Sequence, residues 1–193
     1  ANAGVKIFGG WSRAFPQKSF SIFSRSYYGP STFDYGLFPD SGIDNYEAFI
    51  LRNSGNDWES TMLRDGFITS LTNKLNIDHQ QYRPAVLYLN GEFWGIQNIR
   101  EKVNEHFLAS HHLINAENID LLDIQGVNEE NIVHGTNIDY VNLLDYLENQ
   151  DMGDPIVQNA LEQWIDIESY MSYQAFQIFI DNRDWPGNNI KFW

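Results

Sequence analysis

The sequence predicts an α+β fold of two lobes, in which a sheet-rich first lobe is followed by a helical second lobe. Short runs with the polar–apolar alternation of strands fill most of the first hundred positions. From residue 105 onward, apolar residues recur at helical spacing instead. The composition changes at Glu101, so we expect one domain at 1–101 and a second at 102–193.

The first lobe opens with two predicted strands, Val5–Phe8 and Ser19–Ser24, which are separated by Gly9-Gly10 and a short polar stretch. Lys18 leads into the second strand. Small residues let a backbone approach anionic oxygens and a lysine supplies positive charge, so this hairpin is a candidate phosphate-handling element. An ordinary hairpin with a surface lysine is the alternative.

Residues 26–46 are rich in Tyr, Gly, Pro, Ser and Asp and predict a long loop or insertion, with a lid as one interpretation. A strand at 46–52 follows. Apolar residues at helical spacing then predict an amphipathic helix at about 59–75, with Asp57 as its N-cap. We interpret the charged pair on this helix as exposed or capping: Arg64 and Asp65.

The strongest local signal in the chain is Asn90-Gly91. It lies between two apolar runs, 85–89 and 93–99, and an Asn-Gly pair in that setting predicts a β-hairpin. The second strand of this hairpin runs on to Glu101, where we place the end of the first lobe.

The second lobe is predicted to contain helices, one short strand and a polar loop. The strand is 119–124, the loop is 126–135, and the helices lie at 105–113, at 139–148, from Pro155 onward and at 167–181. Asp166 is the expected cap of the last helix, whose apolar residues surround most of its circumference and predict complete burial. Three histidines are interpreted as surface residues, because no matching carboxylate motif accompanies them: His106, His111 and His112.

A loop rich in polar side chains follows the last helix. It contains Asp184 and Asn189 around a Pro-Gly turn, and Arg183 precedes the aspartate. In protein kinases an Asp meets the substrate hydroxyl and an Asn five residues later holds a metal ion. The loop is therefore a candidate catalytic segment. The alternative is an Asp-rich Pro-Gly turn of the kind that follows helices in many proteins.

The net charge of −14 belongs entirely to the second half of the chain. Residues 1–100 carry nine basic and nine acidic side chains, whereas residues 101–193 carry three and seventeen. This argues against a nucleic-acid partner, which requires a basic surface, and favours a cationic partner or a solvated acidic face. The absence of cysteine excludes disulfides and thiolate chemistry. No apolar run is long enough for a transmembrane segment.

Seven short motifs together resemble the CotH kinase family, the spore-coat-protein-H type of atypical protein kinase. They occur in the family's order and cover nearly the whole chain: Gly9–Ser19, Leu51–Asp57, Met62–Asp65, Arg83-Pro84, Tyr88–Gly95, Arg100-Glu101 and Asp184–Asn189. The resemblance implies a bilobal kinase-like domain that binds ATP with Mg²⁺ and phosphorylates Ser or Thr of proteins. It also implies a secreted, cell-surface or spore-coat setting. The acidic second lobe adds the expectation of basic substrates.

The same resemblance implies roles for five residues. Lys18 would contact the nucleotide phosphates with help from Arg13, and Glu101 would lie at the adenine-side hinge. Asp184 would accept or orient the substrate hydroxyl, and Asn189 would ligate Mg²⁺. Lys18 and Asp184 are therefore expected to meet across one cleft.

Two departures from the family pattern bear on activity. The family often has Lys-Lys where this chain has Gln17-Lys18, so one lysine is available. The family's second metal-binding Asp is expected beyond Trp193, so we expect a C-terminally incomplete kinase-like domain. Two alternatives stay open: a non-catalytic kinase-like surface or adhesion module, and a kinase fold that performs another ATP-dependent transfer to a protein side chain.

Overall fold

The computed structural model describes residues 2–124, 128 and 131–193, and these have the predicted α+β class. Their strands are β1 Gly4–Phe8, β2 Ser19–Phe23, β3 Phe33–Asp34, β4 Asn45–Tyr46, β5 Ala48–Arg52, β6 Tyr82–Leu89, β7 Glu92–Glu101, β8 Leu121–Asp123, β9 Ile132–His134 and β10 Lys191–Phe192. Their α-helices are α1 Arg64–Ser70, α2 Glu105–His112, α3 Ile138–Asn149, α4 Pro155–Leu161 and α5 Ile167–Phe179. Short 3₁₀ turns occupy Trp11–Ala14, Gly55–Asp57 and Ala116–Asn118.

The chain divides into two compact units by its internal contacts. The first unit takes in residues up to Lys74 together with Asp78–Ser110. The second unit combines Leu75–Ile77 with His111–Trp193. The division into domains at Glu101, which the sequence suggests, stays a prediction.

The first unit is built on a five-stranded antiparallel sheet with the order β1-β2-β5-β7-β6. The predicted hairpin is confirmed: Asn90 and Gly91 connect β6 to β7 with φ of 52° and 85°, the left-handed backbone that a tight two-residue turn requires. Arg52 is in register with Asn98, and side chains alternate along a strand. Arg52 and Arg100 therefore share one face of the sheet.

Helix α1 is shorter than predicted, since it begins at Arg64 rather than near residue 59. Met62, whose φ is 56°, interrupts the helical path just before it. The prediction of Asp57 as the N-cap residue is wrong, because Leu63 occupies that position; the Asp57 carboxylate nevertheless accepts the backbone N–H groups of Leu63 and Arg64, each at 3.0 Å. The apolar periodicity thus extends through a turn that the helix itself does not include.

The later part of residues 26–46 contributes to the core of the first unit. Strands β3 and β4 pair as a two-stranded ribbon within this segment. Three of its side chains are buried, Leu37, Phe38 and Tyr46. They pack against Ile43 and against Phe49 and Ile99 of the sheet. Burial of these side chains holds the later part of the segment against the sheet, and the interpretation of the segment as a lid stays a prediction.

The second unit combines a three-stranded sheet of order β10-β8-β9 with helices α3, α4 and α5. Pro155 opens α4 as predicted, and the predicted cap of α5 is confirmed because Asp166 accepts the Ser169 N–H at 2.8 Å. Strand β9 corrects the predicted polar loop at 126–135, since part of this segment pairs with β8 and gains backbone hydrogen bonds. Of that predicted loop, residues 126, 127, 129 and 130 lie outside the described residues.

Helix α5 is more exposed than its sequence predicts. No residue of the helix is buried, and Ile178 and Phe179 are 67% and 78% exposed. The prediction of complete burial is wrong for the part of the chain that the structure describes. An apolar circumference specifies which side chains avoid water, but it does not specify the partner that covers them.

Candidate functional site

Lys18 closes its own loop in the first unit. Its ammonium group donates to the carbonyl oxygens of Arg13 at 2.7 Å and Phe15 at 2.6 Å. These bonds satisfy two of the three N–H donors of the lysine. Lys18 thus contacts Arg13 through the Arg13 backbone carbonyl, and the Arg13 residue is exposed.

Gln17 anchors this loop to the sheet and to the turn after β5. Its side-chain nitrogen donates to the Ile96 carbonyl at 2.7 Å, and its side-chain oxygen accepts from the indole of Trp58 at 2.8 Å. A side chain at Gly95 would place its Cβ 2.6 Å from the Gln17 amide nitrogen, so this approach requires glycine. A glutamine donates and accepts at once, which a lysine cannot do. At position 17, where the family often has lysine, the glutamine of this chain therefore makes two structural hydrogen bonds.

A buried network of hydrogen bonds also fixes the loop that contains Lys18. The Asn53 N–H donates to the Ser19 hydroxyl at 2.9 Å, and that hydroxyl donates to the Asn53 side-chain oxygen at 2.8 Å. Asn53 also donates to the Gln17 carbonyl, and Gln97 donates to the Lys18 carbonyl at 3.1 Å. Asn53 and Gln97 are fully buried. Buried polar groups of this kind rigidify a structure when they are paired, so the backbone on both sides of Lys18 is fixed.

A cluster of charges links α1 to the sheet. Asp65 of α1 is paired with Arg52 of β5 at 3.2 Å and with Arg100 of β7 at 2.9 Å. Arg100 is 2% exposed and also donates to the Thr69 hydroxyl at 3.0 Å. Burial lowers the pKa of the Arg100 guanidinium, while the charge of Asp65 acts in the opposite direction. The interpretation of Asp65 as an exposed or capping charge is therefore wrong, because it joins three elements of the fold.

Glu101 lies at the end of β7, where it is in register with Phe49 of β5. Its carboxylate is buried and accepts the Gln81 N–H at 2.9 Å. It lines a cavity of about 200 Å³ together with His106 and Glu47, whose side chains approach each other to 2.6 Å. The role of Glu101 at a nucleotide hinge stays a prediction.

Asp184 and Asn189 meet within the loop that follows α5. The Asn189 amide donates to the Asp184 carboxylate at 3.2 Å. Asn182 accepts the Asp184 N–H at 3.1 Å and is itself bonded to Gln177 of α5 at 2.7 Å. The last turn of the helix therefore positions the loop. The peptide bond before Pro186 is cis.

The Asp184–Asn189 pair provides hard oxygen ligands, the type that Mg²⁺ prefers. With the Asn189 nitrogen turned towards Asp184, the amide oxygen of Asn189 and one carboxylate oxygen of Asp184 are available. No group of three or more His, Asp or Glu side chains with metal-binding geometry occurs in the described residues. The pair therefore fits an Mg²⁺ that is shared with substrate phosphates and waters rather than one enclosed by protein.

The Asp-x₄-Asn loop is a feature that this α+β chain shares with protein kinases. The model of the family described as CotH kinase protein matches residues 5–193. The chain therefore belongs to the CotH kinase family, and the resemblance seen in its motifs is confirmed. Kinase families in general use ATP, a divalent cation and, for protein kinases, a protein substrate.

No curated protein matches the chain. Among the described residues, no helix combines the length and the apolar character needed to cross a bilayer.

Lys18 lies in the first unit and Asp184 in the second. Their meeting across one cleft stays a prediction, as do the roles assigned to Lys18, Arg13, Glu101, Asp184 and Asn189.

Sequence reasoning missed the partners of the charged residues in the first unit. Arg52 ends an apolar strand, and a charge in such a position requires a counter-charge when it is buried. That signal predicts a partner for Arg52 but does not identify Asp65. Asn53 and Gln97 carried no signal of their own, because polar residues are common just after a strand, as at Asn53, and on alternate positions within one, as at Gln97.

Proposed function

We propose that the chain is a CotH-type protein kinase that transfers the γ-phosphoryl group of ATP to Ser or Thr hydroxyls of a protein substrate. The observation that carries this proposal is the contact between Asp184 and Asn189 at 3.2 Å, in a loop whose backbone is fixed by the preceding helix. Membership of the CotH kinase family supports it. The likeness to spore-coat kinases supports an extracytoplasmic site of action.

The acceptor oxygen of Ser or Thr attacks the γ-phosphorus, the bond to the leaving ADP oxygen breaks, and the hydroxyl proton passes to Asp184. The Asp184 residue is exposed, and in this role its carboxylate acts as the general base. Asn189 would hold Mg²⁺ through its amide oxygen and would keep the Asp184 side chain in place through its nitrogen. Mg²⁺ supplies the positive charge that offsets the charge on the phosphates.

The charge of the second half of the chain favours a basic substrate. Residues 101–193 carry seventeen acidic and three basic side chains. A field of this sign attracts cationic segments and increases their rate of encounter at low ionic strength. We therefore expect Ser- or Thr-containing basic peptides to be better acceptors than acidic ones.

The replacement of Asp184 by Asn tests the proposal. Purified protein is incubated with ATP, Mg²⁺ and a basic Ser-containing peptide, and phosphopeptide is measured by mass spectrometry. We expect Asp184→Asn to lower the rate by about 10²- to 10⁴-fold, because general-base assistance is lost. The unfolding midpoint should change little, since Asp184 is exposed.

Asp181→Asn is the matched control. Asp181 is exposed, lies on the same loop and contacts Arg183 at 3.1 Å. This variant removes the same charge and should retain the wild-type rate. Equal rates for the wild type and Asp184→Asn would remove Asp184 from the reaction. Wild-type protein whose melting temperature does not respond to MgATP would favour the non-catalytic module instead.

A further inference from the structure

We propose that Arg52 is a phosphate-contacting residue of the nucleotide site, an inference that rests on the proposed kinase function. Arg52 would be held in position by Asp65, and Arg100 would serve only to fix Asp65. The site would accept the polyphosphate of a nucleoside triphosphate. None of the roles implied by the family motifs includes Arg52.

The position of Arg52 in the sheet is the first observation. In protein kinases the lysine that contacts the phosphates lies on the third strand and pairs with a carboxylate of the helix that follows. In the five-stranded sheet of the first unit, β5 is the third strand both in chain order and in sheet order. Arg52 is its last residue, and Asp65 lies on α1, the next helix. Their side chains approach to 3.2 Å.

The unequal surroundings of the two arginines are the second observation. Arg100 is buried, and its terminal nitrogens donate to Asp65 and Thr69. The Arg52 side chain is 36% exposed and faces Asp65 through Nε. In the described residues, no hydrogen-bond partner contacts its two terminal nitrogens. Asp65 is shared by the two guanidinium groups, and Arg52 is the more exposed of the two.

The arrangement of Lys18 is the third observation. Its ammonium group already donates to two carbonyl oxygens of its own loop, which leaves one donor for a ligand. Ser19 follows Lys18 in the chain and Asn53 follows Arg52. The Asn53 N–H donates to the Ser19 hydroxyl at 2.9 Å. Lys18 and Arg52 therefore lie at the same end of the sheet. A guanidinium presents a planar pair of donors that fits phosphate oxygens, and this suits Arg52 to the ligand.

Binding of MgATP and of adenosine to the whole protein tests the assignment, with calorimetry as the readout. Arg52→Gln should weaken MgATP binding by about ten- to a hundredfold, as expected for the loss of hydrogen bonds to a charged group. Adenosine binding should be unchanged, because adenosine has no phosphate. Arg25→Gln is the matched control, because Arg25 is exposed and lies beside the Phe23 ring. This variant should bind both ligands as the wild type does.

Each outcome has a distinct meaning. If the Arg52→Gln variant binds MgATP as tightly as the wild type does, the assignment of Arg52 is overturned and the kinase proposal stays intact. Equal loss of MgATP and adenosine binding by a folded Arg52→Gln would also overturn it, since the residue would then act on the structure of the site. A wild-type protein that does not bind MgATP would overturn the kinase proposal and this inference with it.

A measurement on the wild-type protein covers the case in which Arg52→Gln fails to fold. Phenylglyoxal modifies accessible arginines, and the modified positions are identified by mass spectrometry. MgATP should protect Arg52 from modification, adenosine should not, and Arg25 should be modified equally in every sample. Modification of Arg52 at the same rate with and without MgATP would overturn the assignment.

Discussion

The Asp57 carboxylate is the feature of the first unit whose removal has the most clearly defined consequence. Asp57 is 4% exposed. It accepts the Thr61 hydroxyl at 2.6 Å and the backbone N–H groups of Leu63 and Arg64 at 3.0 Å each. These two N–H groups belong to the start of α1 and have no partner within the helix. A single buried charge therefore supports the whole beginning of that helix.

Replacement of Asp57 by Asn preserves the shape of the side chain and removes its charge. Hydrogen bonds to an ionised group stabilise by about 1.5–3 kcal/mol, and a helix cap by about 0.5–2 kcal/mol. Because these contributions overlap, we expect Asp57→Asn to lower the free energy of unfolding by about 2–4 kcal/mol at neutral pH. Urea unfolding of the whole protein, monitored by tryptophan fluorescence, measures this change. Asp40→Asn, at an exposed carboxylate, is the control and should leave the urea midpoint unchanged.

The dependence on pH distinguishes the charge of Asp57 from its shape. Burial alone would raise the pKa of Asp57, but the hydrogen bonds from Thr61 and Arg64 outweigh burial and hold the pKa below its usual value. A carboxyl group with a lowered pKa stabilises the folded state above its unfolded pKa of about 4, and this contribution is lost as the pH falls towards the folded pKa. The difference in stability between wild type and Asp57→Asn should therefore shrink below about pH 4. A difference that is the same at pH 7 and at the lowest pH with folded protein would refute the reasoning.

Two further substitutions in the first unit test its packing and its buried polar network. Gly66→Ala places a Cβ 2.6 Å from the Tyr82 ring, so the usual gain from alanine in a helix should be reversed and stability lowered by about 1–3 kcal/mol in urea unfolding; a more stable variant would contradict this contact. Asn53→Ala removes the bonds to Ser19 and to the Gln17 carbonyl at a fully buried position, so we expect a loss of about 2–3 kcal/mol and faster hydrogen exchange of the amides around Lys18. Unchanged exchange there would show that the loop is held by other contacts.

Short-range features of this fold were predictable because few neighbouring residues determine them. Asn90-Gly91 requires left-handed backbone at both positions and so specifies a tight hairpin. Asp166 was identifiable as a cap because a short side chain with an acceptor oxygen satisfies nearby N–H groups. The errors arose where the spacing of apolar residues alone was used to set the length or the burial of a helix. The predicted helix at 59–75 was too long, and complete burial of α5 was wrong.

The candidate site was predictable in part. The sequence placed Asp184 and Asn189 five positions apart around one Pro-Gly turn, and the structure shows them in contact. The pairing of Arg100 with Asp65 joins residues 35 positions apart. No local pattern distinguishes a helix aspartate that faces solvent from one that faces two arginines. The function of Gln17 was hidden for the same reason, since its partners Ile96 and Trp58 are distant in the chain.

The sequence by itself determined the α+β class, the CotH kinase family and the loop that unites Asp184 with Asn189. The class and the loop follow from composition, spacing and backbone preferences, which are properties of neighbouring residues, whereas the family follows from the resemblance of seven motifs and from the family model. Only the tertiary structure decided that Lys18 is turned onto its own loop while Arg52 stands accessible beside Asp65. Strand register and helix packing set the distances between remote charges, and electrostatic interactions depend on those distances.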